Sequence, residues 1–367
     1  MKRRKFMKTA GAVVGGAAAT TLAAPAIATS MPKLKWRITS SFPQALDTLY
    51  GGTEVFAKYV TEATDGNFSV QAFPAGEIVP GLQVADKVTD GTVEMGQTAL
   101  YYFWGKDPAF ALATAIPFGL NARQMNAWWY HGDGKTMLNK FLEKYKLIAF
   151  AAGNTGCQMG GWFRKPIHSL ADMKGLKFRI GGMGGKIIAK IGVVPQLIAG
   201  GDIYPSLEKG TIDACEWVGP YDDEKLGFYK VAPYYYYPGW WEPGPMLHVI
   251  VNLEKWNALP KSYQNIVETA AGYANVDMMA KYDARNLPAL RRLVANGAKL
   301  APFSQDIMDA SFKAAGETYK ELSAQSADFK SIYENMVDFQ RNAVLWDEVA
   351  ENTYNNYMAT EQRKNAL

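Results

Sequence analysis

A chain of 367 residues is longer than a single hydrophobic core usually serves, so two lobes are expected. Its formal charge of +4 sits at the very start: without Lys2, Arg3, Arg4, Lys5 and Lys8 the balance becomes −1, which excludes bulk charge as an argument for a nucleic acid or an anionic membrane as partner. Two cysteines exclude a disulfide-dense scaffold and a cysteine zinc site; Cys157 and Cys215 can pair in an oxidising compartment or stay two separate buried thiols.

Residues 1–28 read as a cleaved leader. Arg3-Arg4-Lys5-Phe6 is basic, 10–24 is a mild Ala/Gly/Val run, and Ala26-Ile27-Ala28 is a small-residue cleavage site. The paired arginines and weak apolar run point to the twin-arginine route, and the run is too short and Ala-rich for a spanning anchor. No later apolar stretch approaches spanning length, so a soluble protein across the membrane from the cytoplasm is expected.

Residues 34–40 read as a strand ended by Phe42-Pro43, and 47–61 as a helix; Asp65-Gly66-Asn67 turns the chain into a second strand over 68–73. A short helix over 82–89 stops at Gly91, and 93–98 is a third strand. Strand and helix alternate, which predicts an α/β domain with a largely parallel sheet. The helix stop recurs: residues 87–94, with Gly91, resemble 206–213, with Gly210, each glycine standing where a left-handed residue ends a helix. Two facing lobes of related build would explain it, although helix, glycine, strand is also a common local solution.

Between the copies lie Tyr101-Tyr102-Phe103-Trp104 and a helical segment over 122–145 with Trp128 and Trp129. In 176–180, Leu176, Phe178 and Ile180 alternate with Lys177 and Arg179, the period of a half-buried strand, and Gly181-Gly182-Met183-Gly184-Gly185 follows at once. A strand end opening into Gly-rich backbone is where open α/β sheets leave a ligand crevice. Arg179 there suits a carboxylate held by two parallel hydrogen bonds, or else is a surface arginine whose stem packs on the sheet. Residues 234–241 form an aromatic rim broken by Pro233, Pro238 and Gly239 and running into Glu242-Pro243-Gly244-Pro245, a loop or crossing segment. The part from 304 onward is helical: Met308, Phe312, Ala315, Tyr319 and Leu322 make one apolar stripe, which Ile332, Met336, Val344 and Val349 continue toward Tyr354 and Met358.

Asn154 and Gln158 are neutral amides, and Glu216 and Glu242 are carboxylates in later junctions; such oxygens, with backbone carbonyls, are the ligand set of a hard cation such as Na⁺ or Ca²⁺. Two glutamates far apart are ordinarily just solvated charges. His131, His168 and His248 are scattered without zinc spacing. The Gly-rich loop fails as a phosphate loop, because Ile180 and Ile187 occupy the defining first and last positions, and neither a dinucleotide fingerprint nor a nucleophile elbow is present. A glycosidase pair of Glu216 and Glu242 remains formally open, but Arg179, Asn154 and Gln158 better serve a small anion.

Longer motifs carry a resemblance. The leader, Trp36-Arg37-Ile38 with Ser41-Phe42-Pro43, the stretch 75–83 (Ala-Gly-Glu-Ile-Val-Pro-Gly-Leu-Gln), the run 153–163 and Arg179 resemble the substrate-binding proteins of TRAP transporters. Gly200-Gly201-Asp202-Ile203-Tyr204-Pro205, Glu216-Trp217-Val218-Gly219-Pro220-Tyr221 and Trp240-Trp241-Glu242 resemble in particular the 2-oxo-acid-binding subgroup. The resemblance implies an α/β, two-lobed periplasmic binding protein with central mixed sheets, hinge-crossing segments and long C-terminal helices. Lobe I would be 29–154 plus about 243–285, lobe II 155–242 plus about 286–303, and 304–367 the C-terminal helices, exchanged in a homodimer. It implies binding without catalysis: Arg179 grips the substrate carboxylate; Gln158, Glu216, the Trp217 carbonyl and Glu242 hold a cation, Na⁺ first and Ca²⁺ as the alternative. Asn154 and one of Tyr101 or Tyr102 contact a pyruvate-like 2-oxo acid, which chelates the ion beside Gln158 and Trp217. Small and large membrane subunits would receive the ligand. A 2-hydroxy acid such as lactate with Ca²⁺, a periplasmic ligand sensor and a metal-assisted enzyme on oxo acids are the rival readings. Pro243 departs from the subgroup pattern, where glycine is expected.

Overall fold

Alternating apolar residues place eleven strands in two sheets among the described residues, 31–364 of this computed structural model; the expected leader over 1–28 lies outside them. The first sheet comprises β1 (Leu34–Ser40), β2 (Phe68–Phe73), β3 (Met95–Thr98), β4 (Leu147–Asn154) and β10 (Met246–Asn252), in the order β2-β1-β3-β10-β4. The second comprises β5 (Gly161–Phe163), β6 (Lys177–Arg179), β7 (Val194–Gln196), β8 (Ala214–Cys215), β9 (Tyr234–Tyr237) and β11 (Lys299–Pro302), in the order β11-β9-β5-β8-β6-β7.

The first sheet is mixed rather than largely parallel. β1 runs parallel to β2 and β3, but β10 is antiparallel to both β3 and β4. The reason is its route: β10 returns from the second sheet along an extended segment, whereas a parallel neighbour needs a crossover, usually a helix. All seven of its residues are buried, as befits a strand covered on both faces. The expected crossing segment over 234–245 also divides. Its first four residues pair as β9, with Tyr235 stacked on Trp162 at 3.8 Å between ring centroids, and only 238–245 crosses.

The recurring helix stop has a structural counterpart. Gly91 and Gly210 take φ of 78° and 70°, and the next acidic residue of each copy, Glu94 or Asp213, accepts the backbone N–H of Arg37 in β1 (2.9 Å) or of Lys177 in β6 (3.0 Å). Each copy then continues into a strand in the interior of its sheet, β3 or β8.

The two sheets are joined by backbone that zips together. Gln158 N–H donates to the Glu242 carbonyl (3.1 Å), Gly239 N–H to the Gln158 carbonyl (2.9 Å) and Thr155 N–H to the Pro245 carbonyl (3.3 Å). A third connection is the helix Lys261–Ala295, which packs on β4 and on the helix Leu49–Glu62, and then on the short helix Pro220–Leu226. The boundary expected near 285 therefore falls inside a continuous helix, because Ala270, Ala274, Met278, Tyr282, Ala289 and Leu293 keep one side buried along its length. No helix among the described residues is long and apolar enough to cross a membrane.

At the C-terminus the helices Gln305–Gln325, Ala327–Asp347 and Thr353–Arg363 follow one another, with a π turn at Glu348–Asn352. The buried stripe of the first is Ile307, Ser311, Ala314, Ala315, Thr318, Tyr319 and Leu322; Phe312, expected inside, is 64% exposed, its ring edge against Phe118. Ile332 and Met336 are buried, but Val344, Val349 and Tyr354 face outward, because the tail is tied down by polar contacts instead: Asp347 accepts from Gln124 (2.8 Å), and Arg123 pairs with Glu351. Cys157 is exposed and Cys215 buried in β8; both are free thiols, so the pairing left open by the sequence is not made.

Two adjacent acids brace the joint between the sheets. Asp222 accepts hydrogen bonds from Thr48 Oγ1 and Tyr282 Oη, both at 2.6 Å, while Asp223 accepts from Trp162 Nε1 (2.9 Å), Tyr235 Oη (2.8 Å) and Val218 N (3.3 Å). Burial pushes their carboxyls up to about 6 and about 7 respectively, against the hydrogen bonds that favour the charge. A carboxyl whose pKa is higher folded than unfolded binds its proton more tightly in the native state, so its contribution falls as pH rises from about 4 toward 7. Asp223→Asn should therefore gain on the wild type by on the order of 2 kcal/mol between pH 5 and pH 8, as read by urea unfolding at the two pH values; a difference independent of pH would contradict this account.

Candidate functional site

The strand ends of the two sheets meet over one cavity. Phe42 and Leu49 come from the connection after β1, Tyr101 and Tyr102 from the turn after β3, Thr155 and Gln158 from the crossing after β4, Arg179 from the end of β6, and Trp217 and Val218 from the segment after β8. Pro245 and Leu247 complete the wall. Apart from these last two, the groups stand at carboxyl ends of strands, where an α/β sheet leaves its crevice. The space they leave is about 10 Å³, close to what one water needs, so the two halves are closed on each other. Larger hollows of 430, 540 and 320 Å³ lie on the surface, and none is lined by a buried polar atom without a partner among the described residues.

Arg179 is no surface arginine; it is 1% exposed. Its Nε donates to the Ile198 carbonyl (3.0 Å), and its Nη1 to the Glu216 carbonyl (2.8 Å) and to Glu216 Oε1 (2.5 Å). Nη2 has no protein partner among the described residues, and the guanidinium lies 5.0 Å from the centroid of the Trp217 ring. Burial pulls its pKa down, but the nearby Glu216 outweighs that and the guanidinium stays charged.

Glu216 Oε1 also accepts the Gly181 N–H at 2.7 Å, while Glu216 Oε2 accepts nothing. Glu242 stands on the crossing segment with Oε2 at 3.4 Å from the Tyr101 hydroxyl and Oε1 without a partner. Gln158 uses its amide nitrogen on Thr155 (3.3 Å) and leaves its Oε1 unpaired. All three side chains are buried. Burial raises the pKa of both carboxyls, and for Glu242 the charge on Glu216 raises it further; Arg179 partly holds down both. Burial also pushes Tyr102 up to about 12, so its hydroxyl keeps its proton and can donate.

One positive charge thus serves two carboxylates, and three buried oxygens lack donors. Unpaired buried polar atoms are rare and mark a missing water, ion or ligand. No group of three or more His, Cys, Asp or Glu with metal-binding arrangement occurs among the described residues. Two carboxylates with an amide oxygen instead match the all-oxygen shell of a hard cation. The donor set fits Na⁺ or Ca²⁺ and not a soft metal.

Asn154, expected to contact the substrate, has both ends of its amide engaged by backbone. It is buried; its Nδ2 donates to the Gly244 carbonyl (3.2 Å) and its Oδ1 accepts the Gly156 N–H (2.9 Å), so it braces the crossing segments, and like Glu216 and Glu242 it stands behind the residues that line the cavity. The apolar wall of Leu49, Val218, Pro245 and Leu247 was missed, since a leucine facing a ligand carries the same periodic signal as one facing the core. His248 is buried against Trp129, away from the cavity lining, and burial pushes it down to about 3.

Residues 39–326 match the family described as bacterial extracellular solute-binding protein, family 7. The chain is 48% identical over 365 residues, covering 99% of it and all of its relative, to a protein of Nostoc sp. named monocarboxylate 2-oxoacid-binding periplasmic protein. A TRAP transporter solute-binding protein from Bordetella bronchiseptica, crystallised as a mixed-occupancy dimer with copurified calcium and picolinate in one active site, superposes with a TM-score of 0.90 at 49% identity, over 91% of this chain and 99% of that one. One from Pseudoalteromonas atlantica with bound sodium and pyruvate gives 0.86 at 35% identity, over 88% and 99%. The chain belongs to this family: it is a TRAP periplasmic solute-binding protein of the DctP type.

Proposed function

We propose that this protein captures a small 2-oxo monocarboxylate of pyruvate size together with a hard cation, and passes it unchanged to the small and large membrane subunits of a TRAP transporter. The observation that carries the reading is the trio of unpaired buried oxygens, Gln158 Oε1, Glu216 Oε2 and Glu242 Oε1, beside an arginine with Nη2 to spare. The Nostoc relative's name and the ligands of the two crystallised proteins point the same way. On this reading Arg179 takes the acid's carboxylate, Tyr101 or Tyr102 donates to it, and Gln158, Glu216, the Trp217 carbonyl and Glu242 hold the ion, which the acid chelates through its carboxylate and 2-oxo oxygens. Asn154 acts by holding the crossing backbone in place.

Charge counting supports the need for the ion. Arg179 with two ionised glutamates is one negative charge, and the acid makes it two; Ca²⁺ would neutralise the site, whereas Na⁺ would leave one negative charge or a retained proton. Titration calorimetry with pyruvate should show binding in Ca²⁺ or Na⁺ and none in chelator without Na⁺; full affinity in chelator would sink the cation's part. Arg179→Lys should weaken pyruvate by about 10- to 100-fold, roughly 1.5–3 kcal/mol, because an ammonium cannot reproduce the fork. Unchanged binding in that variant would remove Arg179 from the site. Running lactate beside pyruvate in the same titrations separates the oxo from the hydroxy acid.

The C-terminal tail supports a homodimer. Leu345, Trp346, Val349, Tyr354 and Tyr357 are each at least 60% exposed, a run of large apolar side chains that a second copy would cover. Light scattering should give the mass of two chains, and Leu345→Asp with Val349→Asp the mass of one; a monomeric wild type would end that reading. Export by the twin-arginine route rests on Arg3-Arg4 in the leader.

A further inference from the structure

Where the two sheets close on each other, one side of the contact has no side chain. Gly181 and Gly182 follow β6, and the ring of Tyr101, which follows β3, lies on them. A Cβ at Gly181 would stand 2.9 Å from Tyr101 Cε2, and one at Gly182 2.9 Å from Cγ, both closer than real Cβ atoms come; the Tyr101 hydroxyl, 3.1 Å from the first, would also be crowded. At both positions Tyr101 supplies all three of the nearest atoms. The ring is not free to swing away: it sits edge-on against Tyr102 with centroids 4.9 Å apart, is 6% exposed, and its hydroxyl reaches Glu242 Oε2 at 3.4 Å. Gly181 meanwhile gives its N–H to Glu216 Oε1 at 2.7 Å.

One residue therefore touches the carboxylate of one half and the tyrosine through which the other half reaches the second carboxylate. We propose that Gly181 is the seat on which Tyr101 settles when the lobes close, a positioning residue whose bare backbone lets the Tyr101 hydroxyl reach Glu242 beside the Arg179–Glu216 pair. The inference rests on the ligand reading above for what drives the closing. Because the two partners hang from different sheets, a methyl group at 181 is relieved by parting the lobes and not by unfolding either one, so it acts on the open–closed equilibrium.

Small-angle scattering and calorimetry on the full mature chain, with pyruvate and Ca²⁺ or Na⁺, test this. The wild type should compact on binding. Gly181→Ala should keep its far-UV spectrum and ligand-free melting temperature, remain extended, and bind about tenfold or more weakly, since apparent affinity scales with the fraction able to close. Adding Tyr101→Ala to Gly181→Ala should bring the compaction back. A Gly181→Ala protein that compacts and binds like the wild type overturns the seat and leaves the ligand reading standing, whereas a wild type that binds no 2-oxo acid overturns both. Should Gly181→Ala melt early, the pair with Tyr101→Ala must recover the loss; a loss that the pair retains overturns the proposal.

Discussion

Arg179 and Glu216 meet at 2.5 Å with their side chains 1% and 0% exposed. Ions so far from water give up several kcal/mol of solvation each, which is recovered only where the remaining donors and acceptors are also satisfied. Here the Ile198 and Glu216 carbonyls and the Gly181 N–H do that for the arginine and for one oxygen of the glutamate. Glu242 has no ion-pair partner of its own among the described residues, and burial beside Glu216 raises its pKa, so ionising this second carboxyl is costly for the protein alone. The rest of the architecture can be understood as what is needed to bring that second carboxylate to the first.

That task falls to the segments between the sheets. Gln158 and Glu242 lie on two crossing strands of backbone that bond to each other directly, so the two oxygens arrive together. Behind them, neighbouring acids on the helix Pro220–Leu226 face different partners: Asp222 takes hydrogen bonds from Thr48 and Tyr282, Asp223 from Trp162 and Tyr235. Through Val218, Asp223 also holds the backbone that follows Trp217. Buried hydrogen-bonded acids of this kind are expensive to form and rigid once formed, which suits a joint that must present oxygens at fixed positions.

Much of this was legible beforehand, and unevenly so. The alternation of Leu176, Phe178 and Ile180 before a glycine run marked Arg179 as the last side chain of a strand, but alternation cannot tell a buried arginine from one that lies along the surface. Glu216 and Glu242 carry no spacing signal at all; they were singled out by oxygen chemistry and by resemblance, because the fold, not the sequence interval, brings them together. Asn154 reads as a ligand amide, and the structure adds what no spacing signals, that the same side chain ties down two backbone groups. Phe312 was misjudged by helical period alone: the stripe around Ile307 and Ala314 uses smaller residues, which let the helix pack closely and leave the ring outside. β10 ran against expectation because helix–strand alternation describes chain order and says nothing of a strand that returns from the other sheet.

The unpaired oxygens of Gln158, Glu216 and Glu242 have a further consequence if they hold the ion as proposed. On the proposed reading, ion and acid each raise the other's affinity by the same factor, as thermodynamic linkage demands. Occupancy then follows the product of two activities outside the cell, so the salt composition of the surroundings sets the threshold at which a scarce nutrient begins to be gathered.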